Sequence, residues 1–202
     1  MRTKDERLHE RRKAEILKAA AACFADKGIR QTTMQEICAA AQISPGALYR
    51  YFESTEGIIA MLAEAERRAN DNLVNYLASS KDVTSALRRA LPEIVEELAR
   101  PSVARLSLEI IAEAARNEDI CRPFLECEAI FKDQLIELLK NGQSEGFVNG
   151  ALDVEAFVHL FTNLLDSICV SYAFPVKVSK KSLVKTIDQF VSASLRPDAR
   201  SR

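Results

Sequence analysis

An arginine between two tyrosines, at positions 49–51, is the part of this sequence whose chemistry most directly suggests a binding function. Arg50 can donate a pair of hydrogen bonds to guanine, and tyrosines can contact the DNA backbone or the methyl group of thymine. These residues end a segment, Pro45 to Tyr51, that is too short to be stable as an isolated helix in water. We therefore expect neighbouring helices to hold it so that it can enter the DNA major groove. Alternatively, Arg50 binds a phosphate and reads no base.

The residues before this segment predict another helix and a tight turn. Thr33 can cap a helix, and Glu36 three residues later completes a capping box. Residues 42–43 would make the turn. Ser44 can then cap the next helix, with Pro45 in the first helical position, where proline is best tolerated. The spacing therefore predicts a helix-turn-helix.

The stretch TTMQEICAAAQISPGALYRYF resembles the helix-turn-helix of the TetR family of bacterial transcriptional regulators. The positions that agree with the family pattern are Thr32, Thr33, Met34, Ile37, Ala41, Ile43, Ser44, Gly46, Leu48, Tyr49, Tyr51 and Phe52. Two positions differ, because Gln42 stands where the family usually has glycine and Thr55 where it usually has a phosphate-contacting lysine. The resemblance implies an all-α fold with a three-helix DNA-binding domain and a larger helical domain for effector binding and dimerisation.

The resemblance also implies which residues bind a double-stranded DNA operator. Thr33 would bind a phosphate through its hydroxyl and amide groups, and Ser44 would do likewise or only cap its helix. The expected DNA-binding residues are Thr33, Ser44, Pro45, Gly46, Ala47, Tyr49, Arg50, Tyr51 and Thr55. Among them Pro45, Ala47 and Arg50 occupy base-reading positions, and only Arg50 is a strong hydrogen-bond donor to bases.

The charge of the chain is unevenly distributed. The whole chain carries a net charge of −1, but residues 1–55 hold ten basic and seven acidic residues. The basic excess is strongest at the start of the chain, at Arg2, Lys4, Arg7, Arg11, Arg12 and Lys13. We expect a flexible basic arm that binds phosphates, with an affinity that falls as salt rises. Alternatively, this segment is a solvated and frayed terminus.

Apolar residues recur at spacings of three and four along the chain, which predicts a succession of helices. The predicted helices cover residues 5–27, 34–41, 45–51, 55–79, 83–99, 102–116, 118–145, 153–174 and 179–195. Pro92 should kink or restart its helix, and Pro175 should separate the last two helices. We expect a DNA-binding domain at 1–54 and an effector-binding and dimerisation domain at 55–202. The helix at 55–79 would join them as a continuous lever.

The window VEAFVHLFTNLLDSICVSYAF is apolar on more than one face, so one core cannot bury all its apolar side chains. We expect a second copy of the chain to bury the remaining apolar side chains. We expect a homodimer through residues 153–174 and 179–195, as in the TetR resemblance. Alternatively, the window is a core helix of a monomer. A two-fold dimer would match two symmetric half-sites on DNA.

The TetR resemblance further implies a ligand cavity in the second domain, for a small hydrophobic effector. The candidate residues are Glu109, Glu113, Phe124, Cys127, Phe131, His159 and Asn163. Glu109 and Glu113 share a helix face, which would favour a cationic hydrophobic ligand, or would form a solvated acidic face. His159 is alternatively a packing or surface histidine, and Asn163 alternatively part of the dimer interface.

Other functional classes find little support. The sequence has two histidines and no glycine-rich phosphate loop, nucleophile elbow or Cys/His cluster, so we expect no enzyme activity, metal or cofactor. The charged start and the lack of a long apolar run predict a cytoplasmic protein that does not cross a membrane. The five cysteines lack CxxC spacing, which indicates reduced, buried thiols, although Cys121 and Cys127 are alternatively redox sensors.

The leading hypothesis is therefore a ligand-responsive transcriptional repressor that a small effector releases from its operator. The alternative is a DNA-binding regulator that lacks a small-molecule effector and is controlled by a protein partner, or that acts as an activator.

Overall fold

The computed structural model describes residues 4–174 and 178–197, and within these ranges the chain is all-α, as predicted. The helices are α1 Lys4–Lys27, α2 Met34–Ala41, α3 Pro45–Leu48, α4 Thr55–Ala78, α5 Val83–Leu98, α6 Pro101–Ala114, α7 Glu118–Ser144, α8 Val154–Ala173 and α9 Lys180–Leu195. They lie within a few residues of the predicted windows. Two predicted features, Arg2 of the basic arm and the break at Pro175, fall outside the described residues.

The first core brings α1, α2 and α3 together. Ile16 and Phe24 of α1 pack with Ile37 of α2, Leu48 of α3 and Phe52 just beyond it. Each of these side chains is at most 4% exposed. Because α3 has only four residues, this tertiary burial, and not helix propensity, keeps it folded.

Polar side chains fix where these helices begin. Thr33 and Glu36 form the predicted capping box at the start of α2. The Ser44 hydroxyl accepts a hydrogen bond from the Ala47 amide, and the Ser54 hydroxyl accepts one from the Gly57 amide. A cap of this kind contributes about 1 kcal/mol. The sequence signals for the starts of α2 and α3 are thereby confirmed.

Two predictions for the DNA-binding end were wrong. The predicted helix to Tyr51 ends at Leu48, and residues 49–51 continue as a turn in which the Tyr51 amide donates to the Leu48 carbonyl at 2.8 Å. The predicted flexible arm is ordered from Lys4 onwards as the first half of α1. Alanines and intrahelical ion pairs, such as that of Arg11 with Glu15, extend the helix into the basic region.

The second core is built by α5, α7, α8 and α9. The ring of Phe157 stacks on Phe161 and Phe190, with centroids 5.8 and 5.6 Å away. At its edge the Arg88 guanidinium forms two hydrogen bonds with Asp188, which ties α5 to α9. These contacts join segments that lie far apart in the sequence into one body.

Pro92 does not restart its helix, contrary to one of the two predicted outcomes. α5 continues through Pro92 from Val83 to Leu98. The proline removes one backbone donor, but the flanking Leu91 and Val95 are completely buried in the second core. Their packing holds the two halves of α5 in one helix.

α4 links the two cores, as predicted. Ile58 and Ile59 near its start are buried in the first core, and Leu77 near its end is buried in the second. The first core also receives residues from later in the chain, including Leu106 of α6 and Phe124 of α7. The DNA-binding helices therefore rest on α6 and α7 as well as on α4.

α8 is long and apolar enough to cross a membrane, by length and hydropathy alone. The sequence analysis had found no segment of this kind. The finding is weak evidence for a membrane span, because core helices of water-soluble proteins pass the same test. Here Phe157, Phe161 and Ile168 of α8 are buried in the second core.

Candidate DNA interface and effector site

The start of α2, predicted to bind a phosphate, is occupied by the protein's own carboxylate. The Thr33 amide donates to Glu36 Oε2 at 2.8 Å, and Lys27 Nζ donates to Glu36 Oε1 at 2.5 Å. These bonds, the one from Lys27 above all, lower the pKa of Glu36 to about 2. A phosphate would therefore reach Thr33 only after Glu36 moves aside. Lys27 lies beside this position and adds a cation that the sequence pattern did not single out.

The turn between α2 and α3 shows what replaces the usual glycine. Gln42 adopts a left-handed conformation, with φ of 54°, as the residue that ends α2. This conformation costs a residue with a side chain roughly 1–2 kcal/mol. Two hydrogen bonds offset part of that cost, from the Gln42 amide to Ala39 and from the Ile43 amide to Cys38.

The predicted base-reading segment presents a largely exposed surface. Tyr49 is 54% exposed, and Arg50, Pro45 and Gly46 are exposed as well. A Cβ atom added at Gly46 would meet no protein atom within 4 Å. The fold itself therefore does not require glycine there.

The remaining predicted contacts are less exposed. Ala47 and Thr55 are half-buried, as is Tyr51. The Tyr51 ring stacks on His9 of α1 with a centroid distance of 4.7 Å, and Lys13 of α1 lies 5.8 Å from the Phe52 ring. The basic half of α1 is thus held beside the reading segment. No local sequence pattern could reveal this contact, because it joins residues about forty positions apart.

The predicted effector residues do not converge on one site. Glu109 and Glu113 contact the loop between α1 and α2 instead of a cavity: Glu109 accepts from the Ile29 amide at 2.9 Å, and Glu113 pairs with Arg30. The chain's own donors therefore occupy the two carboxylates that were predicted to attract a cationic ligand.

The other predicted effector residues lie in three different surroundings. Phe124 is buried in the first core, and Phe131 packs against the second. Cys127 is buried, and its sulfur accepts a bond from Asn70 at 3.6 Å. His159 and Asn163 are exposed neighbours on α8, with ring and amide nitrogens 3.2 Å apart. Burial raises the pKa of the Cys127 thiol to about 11, which disfavours the thiolate that a redox sensor needs.

The structure adds a group of carboxylates that the sequence analysis missed. Burial, and then the nearby charges of Glu128 and Asp166, raise the pKa of Glu66 to about 7. Glu66 lies on α4, Glu128 on α7 and Asp166 on α8, so no spacing in the sequence marks these residues as a group. The Glu66 side chain remains exposed to solvent. Lys132 forms its ion pair with Glu128 and not with Glu66.

Two open clefts flank Arg88 on the surface, with volumes of about 260 and 220 Å³. The first is lined by Ser85, Arg88, Arg89 and Asp188. Neither contains any of the predicted effector residues. Within the described part of the chain, no group of three or more His, Cys, Asp or Glu residues could hold a metal ion.

Comparison with known proteins decides the family. Residues 16–62 match the family described as bacterial regulatory proteins, tetR family. Over 194 residues, covering 94% of each chain, the sequence is 26% identical to the HTH-type transcriptional regulator YfiR of Bacillus subtilis (strain 168). Residues 16–62 are a TetR-family DNA-binding domain. The chain is a DNA-binding transcriptional regulator and not an enzyme, as the sequence analysis expected.

Two further relatives extend the comparison across the chain. The HTH-type transcriptional repressor KstR2 of Rhodococcus jostii (strain RHA1) is 29% identical over 149 residues, 71% of each chain. The structure of the regulator FadR from Bacillus subtilis in complex with stearoyl-CoA is similar, with a TM-score of 0.75 at 19% identity. That alignment covers 88% of this TetR-family chain and 96% of FadR, so the shared fold includes both cores.

Replacing Arg50 with alanine tests whether this side chain reads a base. We expect weaker binding to a duplex selected from a random library, with about 1–3 kcal/mol less discrimination at one base pair per half-site. Gel retardation on single-base variants of that duplex measures both effects. Arg89→Ala, an exposed arginine on α5, is the control. An equal loss on every duplex would assign Arg50 to a phosphate instead.

Replacing Glu66 with glutamine tests the raised pKa. Because the folded-state pKa lies above the usual value of 4.5, stability is fully present below about pH 4.5 and is lost as pH rises through about 7. Glu66→Gln removes this loss, so it should be the more stable protein at pH 8, with little difference at pH 5. Since Glu66 keeps solvent contact, we expect only about 1 kcal/mol.

Thermal unfolding of both proteins at pH 5 and pH 8 measures this difference, with the exposed Glu137→Gln of α7 as control. A difference between Glu66→Gln and the wild type that does not change with pH would contradict the assignment.

Proposed function

We propose that this regulator is a ligand-responsive repressor that binds its operator as a homodimer and leaves it when a small hydrophobic effector binds. The observation that carries the proposal is the exposure of Tyr49 and Arg50 on a segment anchored by the fully buried Leu48. An anchored, exposed arginine fits the geometry of a major-groove reader. The repressor KstR2, similar over most of its length, supports repression as the outcome.

The division of labour follows the two cores. We assign residues 1–54 to DNA binding and residues 55–202 to effector binding and dimerisation. Support comes from α4, whose first turns belong to the first core and whose end belongs to the second. We further propose that the protein acts in the cytoplasm, where its DNA lies.

The dimer interface proposed here uses residues 153–174 and 179–195. Leu160 and Val170 are 59% and 46% exposed on α8, and Phe174, directly after its last residue, is 59% exposed. With the exposed Asn163 and Ser167 they recur at spacings of three and four, so they form one stripe along the helix. Exposed apolar side chains grouped on one face of a helix mark an interaction surface. A second copy related by a two-fold axis would cover it with the same stripe.

The effector, in this proposal, binds among α4, α7 and α8. Cys127 and Phe131 supply apolar surface there, and Glu66 and Asp166 supply carboxyl groups with raised pKa values. The complex of B. subtilis FadR with stearoyl-CoA supports a long apolar ligand in a fold of this kind. The carboxylates favour a neutral or cationic polar end over an anionic one, because an anion would meet like charges.

A thermal-shift screen of neutral and cationic apolar compounds tests the effector. A compound present at 100 times its dissociation constant should stabilise the fold by about 2.7 kcal/mol. The same compound should release the selected duplex in gel retardation, and Glu66→Gln should alter its affinity. Compounds that bind and leave DNA affinity unchanged would favour the regulator without a small-molecule effector.

Replacing Leu160 with aspartate tests the dimer. The two-fold axis brings two aspartates into the interface and removes two apolar contacts, so the loss should be about 3 kcal/mol or more. Sedimentation should show a monomer that no longer retards the duplex at wild-type concentrations. Ile130→Asp, an exposed apolar residue on α7, is the control and should remain dimeric. Dimers of the Leu160 variant would place the interface elsewhere.

A further inference from the structure

We infer that Glu109 and Glu113 of α6 are positioning residues for DNA binding, because they hold the loop between α1 and α2 and so fix the DNA-binding helices on the rest of the chain. Both carboxylates reach the segment Gly28–Arg30, about eighty residues away in sequence. Neither residue belongs to the surface proposed to contact DNA. The inference goes beyond the proposed function and uses the proposed dimer only for one of its measurements.

Glu113 supplies the charged part of this attachment. Its side chain is only 2% exposed, and it pairs with Arg30 from the loop and with Arg116 from its own helix end, at 3.6 Å. A buried carboxylate is strongly unfavourable unless cations compensate it, and removing one partner of such a group is destabilising. The buried charge therefore keeps Arg30, and with it the loop, against α6.

Glu109 fixes the direction of the loop backbone in this attachment. Its Oε1 atom accepts a hydrogen bond from the Ile29 amide at 2.9 Å. At the preceding residue, Gly28, φ is +94°, and a Cβ atom there would lie 3.0 Å from the same Oε1. Ile29 itself is 3% exposed in the first core. The backbone of the loop thus has one position relative to α6, fixed by a hydrogen bond, a close approach and a buried side chain.

This attachment adds a directional contact to those that already hold the DNA-binding helices. α4 connects these helices to the second core through the chain itself, and apolar side chains of α6 and α7 pack into the first core. Apolar contacts are non-directional, so packed elements can still tilt or slide, as in hinge and shear motions. The loop that Glu109 and Glu113 hold lies immediately before the Thr33 cap of α2. Their hydrogen bond and ion pair therefore define one orientation of α2 and α3.

Arg30→Met and Arg116→Met make a matched pair for the test, since each removes one arginine from the same carboxylate and only Arg30 crosses to the DNA-binding helices. The probes are a duplex selected by the wild-type chain and a duplex with one half-site. We expect Arg30→Met to bind the full duplex at least about tenfold more weakly, because a tilting domain loses the advantage of two linked contacts. Binding to the single half-site should stay within about twofold of wild type for both variants, and Arg116→Met should match wild type on both duplexes.

Hydrogen exchange of the Ile29 amide gives a second readout that needs no DNA. Arg30→Met should speed its exchange at least about tenfold, whereas Arg116→Met should not. Glu109→Gln keeps an acceptor oxygen and should protect this amide, and Glu109→Met should expose it. Arg30→Lys, which keeps the charge, should recover most of the binding to the full duplex.

Three results would overturn the inference: unchanged exchange at Ile29 in Arg30→Met, equal effects of the two arginine variants, or an equal loss on the single half-site. If the wild-type chain bound two half-sites no better than one, the proposed dimer would fail, and the exchange of the Ile29 amide would still decide the inference.

Discussion

The segment that we propose reads DNA depends on the burial of Leu48. α3 has four residues, so its internal hydrogen bonds cannot offset the entropy of ordering it. Leu48, fully buried, and Phe52, four residues later, pack into the core of α1 and α2 and hold the segment in place. Arg50, between them in the sequence, is left exposed to solvent. Burial of Leu48 and Phe52 thus both keeps the segment folded and leaves the Arg50 side chain directed at solvent.

The small size of the first core explains why the DNA-binding helices pack against the rest of the chain. The helices α1, α2 and α3 enclose a small core, and small cores are only marginally stable. α4, α6 and α7 each add apolar side chains to that core. The support is also a mechanical connection, because whatever displaces α4 or α6 displaces the reading segment. In this chain, stability of the DNA-binding end and its coupling to the second core come from the same contacts.

Several carboxylates of this protein bind donors of the same chain and are therefore structural. Glu36 closes the start of α2, and Glu109 and Glu113 hold the loop before it. Glu66, on α4, has no ion pair or hydrogen bond of this kind with another described residue, and burial raises its pKa. A group of this kind is poised to change charge when a ligand or a neighbouring helix alters its surroundings. This difference separates structural carboxylates from the candidate for effector binding.

The sequence by itself determined the all-α fold, the positions of the helices and the caps at Thr33 and Ser44, because these depend on periodicity and on side chains within one helical turn. It also indicated the family and singled out the segment that we propose reads DNA. The tertiary structure decided the rest: that Leu48 packs into the core of α1 and α2, that the Tyr51 ring stacks on His9, and that Glu109 and Glu113 meet the α1–α2 loop. Each of these depends on contacts between residues far apart in the chain, whose free energies exceed the local preferences that a sequence pattern records.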